Sequence, residues 1–174
     1  MLRHTKLEGR GNDFVGVDLR GDLRDGVDHA PSIATPEAAV AVCDRHFGVG
    51  ADGVLAILPP SSEGAIARMR VLNADGSEAE MCGNGIRCVA KFLYERDAAA
   101  RQPVLPIDTG AGLLRCGVTL DARRHVTHVS VDMGRPRLAA AEIPLQLPGG
   151  EGQGHGDRVV GHDLSLDGRT FRFT

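Results

Sequence analysis

A chain of 174 residues has room for one large domain or two small ones, and 42% hydrophobic with 25% charged residues is a globular composition. The net charge of -3, with arginines scattered rather than clustered, leaves no electrostatic footprint for nucleic acid. No apolar run nears the roughly 20 residues that span a bilayer, and the polar start from Met1 to Lys6 lacks an export signal's apolar core, so no membrane partner and a cytoplasmic location are expected.

Along the chain, a strand is expected over Phe14–Leu19. Thr35, Pro36 and Glu37 then give a helix start: an N-cap, a proline at the first helical position and an early acid. That helix should run to Arg45 and His46 and stop at Gly48. Strands follow over Val54–Leu58 and Ala67–Leu72, after which the chain turns through Asn73-Ala-Asp-Gly-Ser77; Glu78 and Glu80 read as solvated. A second helix is predicted over Ile86–Arg96. Its charges, Arg87, Lys91 and Glu95, fall in one stripe and the rest of its circumference is apolar, the pattern of an enclosed helix.

Three more strands are predicted over Val104–Thr109, Leu113–Leu120 and Val126–Met133. In the last, Thr127, Val129, Val131 and Met133 alternate with polar residues, so that face should be buried. Residues 144–157 contain five glycines and two prolines and read as a loop or linker. A hairpin then joins Asp163–Leu166 to Arg169–Phe173 through Asp167-Gly168. Many strands about one enclosed helix indicate an α+β fold with a curved sheet wrapping that helix. About forty residues after Pro136 are too few for a core of their own. The expected division is a domain over 1–135 and the incomplete start of another over 136–174.

The segment with chemical character is Cys82-Gly83-Asn84-Gly85, between a strand and the enclosed helix. It sets Cys82 at or just before a helix N-terminus, where unpaired N–H groups and the helix dipole favour negative charge. A thiol there ionises more readily than a free one, which makes Cys82 a candidate base or nucleophile. The adjacent glycines let backbone approach a ligand, and freed N–H groups can hold a carboxylate. The competing reading is an inert buried cysteine beside a glycine-rich turn. Cys43, Cys82, Cys88 and Cys116 read as free thiols rather than disulfides. Cys43 and His46 have no second close-spaced pair to complete a zinc site, so no metal is expected.

Three motifs in order carry a resemblance: Gly9-Arg-Gly-Asn12-Asp13-Phe14, Phe47-Gly48-Val-Gly50-Ala-Asp52-Gly53, and Asn73-Ala-Asp-Gly-Ser with Cys82-Gly-Asn-Gly-Ile-Arg87. With these the chain resembles the diaminopimelate epimerases over about residues 1–136. The third motif is the most specific. The resemblance implies two similar domains, each a barrel-like sheet around a central helix, with the active site in the cleft between them. It implies interconversion of LL- and meso-diaminopimelate without a cofactor, in lysine and cell-wall precursor synthesis, by two cysteines on opposite faces of the α-carbon. Carried over residue by residue, Cys82 is one acid/base group and Gly83 and Asn84 supply backbone N–H groups to the substrate carboxylate. Asn12 and Asn73 bind the distal end of the substrate.

The family often has glutamine where Gly53 stands, which leaves one substrate contact open. Nothing after Cys116 matches the family's second cysteine loop. The chain therefore reads as the N-terminal part of an epimerase, inactive alone, with a homodimer left open. Without the resemblance, Asn12-Asp13 and Asn73 could equally be turn residues. Two other functions compete: a proline-racemase-like isomerase of the same fold, and a non-catalytic carboxylate-binding half-enzyme.

Overall fold

The computed structural model describes residues 3–21, 34–143, 145 and 158–173. Chain contacts divide them between two units, 1–132 and 133–174. The first holds β1 (Thr5–Gly9), β2 (Asn12–Asp18), α1 (Pro36–Cys43), β3 (Gly53–Leu58), β4 (Ala67–Asn73), β5 (Glu78–Ala79), α2 (Gly83–Arg96), β6 (Val104–Thr109), β7 (Gly112–Leu120) and β8 (Val126–Val131). These strands form one sheet in the order β1-β2-β3-β4-β6-β7-β8, with the short β5 also paired to β4. The β2–β3 and β4–β6 pairs are parallel and the others antiparallel.

The sheet curls because both of its ends, β1 and β8, pack on α2. Ile86, Val89, Ala90 and Leu93 of α2 are fully buried against Leu55, Ile57, Leu105 and Ile107. On the other face, α1 covers Val15, Val17, Val54, Ala56 and Leu72 with Ala39 and Cys43. β2 and β3 are thus covered on both faces, which explains their unbroken apolar runs. Successive residues of β3 alternate between the two cores: Val54 and Ala56 toward α1, Leu55 and Ile57 toward α2.

The second unit contains a short 3-10 turn at Ala140–Glu142 and an antiparallel hairpin of β9 (His162–Leu166) and β10 (Arg169–Phe173). The hairpin turns on Asp167 and Gly168, at φ 51° and 73°, the pair of left-handed residues that a two-residue hairpin turn demands. The loop expected over residues 144–157 lies outside the described residues apart from Leu145.

Several expectations need correction. α1 ends at Cys43, not at His46, because the Asp44 carboxylate accepts from His46 N and Phe47 N, both at 2.7 Å, and diverts the chain into a turn. α2 begins three residues earlier than predicted, at Gly83, since the Cys82 sulfur caps its first turn. β1 and β5 were not expected. Only alternate residues of β1 are even half-buried and β5 is two residues long, so neither leaves an apolar signature.

In β8 the predicted face holds at Val129 and Val131, which pack on the core, but not at its two ends. A bulge pairs Thr119 with His128 but Leu120 with Val126, skipping Thr127. Val126 therefore enters the core beside the half-buried Val129 and Val131, while Thr127 and Met133 stay exposed. Glu78 is not merely solvated; it receives a bidentate pair from Arg70 at 2.8 and 2.7 Å.

Candidate active site

Cys82 is the N-cap of α2, with extended backbone and its Sγ accepting from Gly85 N at 3.3 Å. The sulfur takes the place usually filled by a serine or aspartate oxygen. Ile86 N is the first to bond within the helix, to Cys82 O at 2.9 Å. The N–H groups of Gly83 and Asn84 have no acceptor among the described residues. They form an electropositive helix end beside the half-buried thiol.

Gly85 lets the helix sit so close. A Cβ there would lie 2.8 Å from Leu55 Cδ2 and 3.4 Å from Cys82 Sγ. Gly83, in contrast, opens onto free space.

The other predicted site residues lie at one end of the sheet. Asn12 starts β2, Gly53 starts the parallel β3, and Asn73 ends β4 opposite Gly53. Asn12 is joined to the helix end directly: Asn84 Nδ2 donates to Asn12 Oδ1 at 2.6 Å. Cys82, Gly83, Asn84 and Asn12 are therefore one cluster. Asn73 lies at the same sheet end, roughly two strand spacings or 10 Å from the Asn12 strand. Its amide donates to Ser77 Oγ at 2.9 Å and its N–H to Ser77 O at 2.8 Å, so the turn reading of Asn73 describes bonds that exist. At Gly53 a Cβ would meet the Leu72 carbonyl oxygen at 2.7 Å, so a side chain there requires the β3 or β4 backbone to shift.

Around Asn12 runs a charged network that the sequence left unmarked. Asn12 Nδ2 donates to Asp52 Oδ2 at 3.3 Å, and Asp13 N donates to the same oxygen at 3.0 Å. Arg45 Nη2 bridges Asp52 and Asp13 at 2.8 Å each, and Lys6 closes on Asp13 at 2.7 Å. The Arg45 guanidinium, then Lys6, hold the Asp13 carboxyl well below the usual carboxylate range. Arg45, expected as a last-turn helix residue, lies beyond the end of α1 and ties the start of β2 to the residue before β3. Arg87, read only as part of a surface stripe, donates to Asn84 Oδ1. Charged residues within or beside the three motifs were the available signal.

The remaining cysteines are set apart from this cluster. Cys43, Cys88 and Cys116 are buried, and burial pushes all three thiols up, Cys116 to about 11. Cys82 is the one cysteine with partial exposure. Among the described residues no group of three or more His, Cys, Asp or Glu could hold a metal, and no helix is long and apolar enough to cross a membrane.

The family model for diaminopimelate epimerase matches residues 4–139. The chain belongs to the diaminopimelate epimerase family. It is 44% identical over 176 residues to the diaminopimelate epimerase of Cyanothece sp., covering 99% of this chain and 56% of that protein. With the enzyme of Synechococcus elongatus it shares 47% over 175 residues, 99% of this chain and 55% of the relative. With the chloroplastic diaminopimelate epimerase of Oryza sativa subsp. japonica it shares 43% over 173 residues, 99% and 44%. The chain thus spans about half the length of the diaminopimelate epimerases it matches.

Among solved structures, a hydroxyproline epimerase from Agrobacterium vitis, with trans-4-hydroxy-L-proline bound, is similar with a TM-score of 0.54 at 17% identity. That likeness covers 75% of this chain and 40% of the other. It shows that the α+β fold, a curled sheet about a central helix, is common to both. At the sequence level the chain sits with the diaminopimelate epimerases rather than with proline-type racemases.

Proposed function

We propose that the protein carrying this chain interconverts LL- and meso-diaminopimelate without a cofactor, and that Cys82 is one of its two proton-transfer groups. The observation that carries this reading is the half-exposed Cys82 sulfur at the N-cap of α2, beside the unpaired N–H groups of Gly83 and Asn84. A substrate α-carboxylate received by those N–H groups would bring its α-carbon to the sulfur. When a thiolate removes the α-proton, the electron pair passes into that carboxylate, and the fixed dipoles at the helix end stabilise the added charge. A thiol on the opposite face returns a proton to the carbon and inverts it. Asn12 and Asn73 hold the distal amino-acid end.

The second group comes from outside this chain. Cys43, Cys88 and Cys116 are buried thiols, remote in character from an exposed acid/base. We assign it to a second domain, of which residues 136–174 are the beginning and 1–135 the counterpart. A cytoplasmic location and lysine and peptidoglycan precursor synthesis go with this reading.

The test is exchange of solvent deuterium into the α-carbon of diaminopimelate, followed by mass spectrometry. The 174-residue chain alone should give none at a useful rate, whereas the full-length protein should exchange. In that protein Cys82→Ala should abolish turnover, and Cys82→Ser should come close, because a hydroxyl is a far weaker acid than a thiol. Full activity in the Cys82→Ala protein would end the two-thiol reading.

A further inference from the structure

We infer that Asp52 and Arg87 are positioning residues that fix the direction of the Asn12 and Asn84 side-chain amides. The inference rests on the assignment of Asn12 to substrate binding. An amide has a donor end and an acceptor end of nearly equal shape, so two facing asparagines can pair in either sense. Here the sense is set from outside. The series runs from Arg87, which donates to Asn84 Oδ1, through Asn84 Nδ2 to Asn12 Oδ1 at 2.6 Å, and from Asn12 Nδ2 to Asp52 Oδ2 at 3.3 Å.

Its two ends have opposite and single capacities. A guanidinium only donates, and a carboxylate only accepts. Turning either amide over would set an NH2 group against the Arg87 guanidinium, or an amide oxygen against the Asp52 carboxylate. It would also set like ends of the two amides against each other. One sense satisfies every link; turning over either amide alone, or both together, breaks two of the three.

Asp52 is itself held. Arg45 Nη2 lies 2.8 Å from its Oδ1, and Asp13 N donates to its Oδ2 at 3.0 Å. The carboxylate is therefore anchored before Asn12 reaches it. Arg87 lies one helical turn beyond Asn84 and is half-buried, so it is anchored by α2. With both ends fixed, Asn12 retains one N–H and one lone pair, each pointing in a set direction, for an ionic amino-acid group. A ligand meets a preformed arrangement and need not select among amide rotamers, which is where affinity gains from preorganisation.

The experiment reads the amides first and the substrate second. Side-chain amide resonances of Asn12 and Asn84 are followed by 15N NMR in the 174-residue chain, in wild type and in the Asp52→Asn, Arg87→Gln and Arg87→Lys variants. Asp52→Asn should move the Asn84 amide, which Asp52 does not touch, and Arg87→Gln should move the Asn12 amide. Arg87→Lys, still a pure donor, should restore the wild-type positions, and the backbone spectrum should otherwise be retained.

In the full-length enzyme, Asp52→Asn and Arg87→Gln should each raise KM for diaminopimelate about tenfold, with kcat within about threefold of wild type and Arg87→Lys close to it. A distant amide that stays in place in both the Asp52→Asn and Arg87→Gln variants overturns the inference. If Asp52→Asn disturbs the fold, the Arg87 pair decides alone. Coupled amides with unchanged KM would instead overturn the assignment of Asn12 to substrate and leave the amide lock standing.

Discussion

Cys116 should be chemically silent in the folded chain, and the structure sets by how much. It sits on β7 opposite Leu105, with none of its surface exposed, and burial pushes its thiol from 9.0 up to about 11. Only the thiolate alkylates, so at pH 8 ionisation alone slows Cys116 about a hundredfold against the same thiol in an unfolded chain. Exclusion of reagent by the core adds to that factor. Pulses of iodoacetamide at pH 8, in buffer and in concentrated urea, with peptide mapping by mass, give both rates. Cys82 should label first in buffer, with Cys43 and Cys88 slow.

The same burial has a stability consequence. The folded value lies above the unfolded one, so the contribution is complete below about 9 and is lost as pH rises through about 11. The difference corresponds to on the order of 3 kcal/mol. Native labelling of Cys116 within about tenfold of its rate in urea would refute this account of the core, and equal labelling of Cys82 and Cys88 would refute the placement of Cys82 at an accessible helix end.

Other expectations follow from burial and close approach. Phe92 is 8% exposed and has the Arg96 guanidinium 4.8 Å from its ring, so Phe92→Ala should cost about 3–5 kcal/mol in urea denaturation. Lys91→Ala, one residue away on the exposed stripe, should cost under about 1 kcal/mol. Gly53→Ala should lower the thermal midpoint and cost about 1–3 kcal/mol, because the new methyl meets a backbone oxygen that cannot rotate aside; an unchanged midpoint would mean that β3 and β4 separate easily.

Asp108 is 3% exposed. Burial works to raise its carboxyl, but hydrogen bonds from Ser61 N and Ser62 N at 2.8 Å and Ser61 Oγ at 3.0 Å outweigh it, and the net direction is down. Its contribution is therefore present above the ordinary carboxylate value and lost as pH falls through the folded one. Asp108→Asn should flatten the acid limb of the stability profile and cost about 1–3 kcal/mol at neutral pH.

Much of this was legible in the residues. The apolar circumference of the helix from Ile86 onward announced its enclosure, and Thr35-Pro36-Glu37 announced the start of α1, whose N-cap oxygen accepts from Ala38 N at 3.2 Å. What escaped was decided by single contacts. Asp44 folds back on two N–H groups and ends α1 early, a choice that propensity does not register. The bulge at Thr127 turns Val126 inward in its place while Val129 and Val131 keep the predicted face, and a regular alternation gives no hint of a skipped residue.

At the site, Cys82 and its glycines stood out because the pattern there is chemical. Asp52, Arg45 and Arg87 did not, since their partners come from other segments: Asn12 lies 40 residues from Asp52 and 72 from Asn84. Such meetings belong to tertiary structure and leave no local trace.

The grip of β1 and β8 on α2 bears on how the chain comes to be folded at all. β1 is made before α2 and β8 after it, yet both pack on the same helix. During synthesis α2 emerges with a partner on one flank only, and the side that Val126 and Cys116 will cover remains open until β7 and β8 have followed. Closure between segments so distant in sequence is slow, and an apolar flank left waiting is open to association with other chains. Substitutions in β8 should therefore act on the yield of folded protein before they act on its activity.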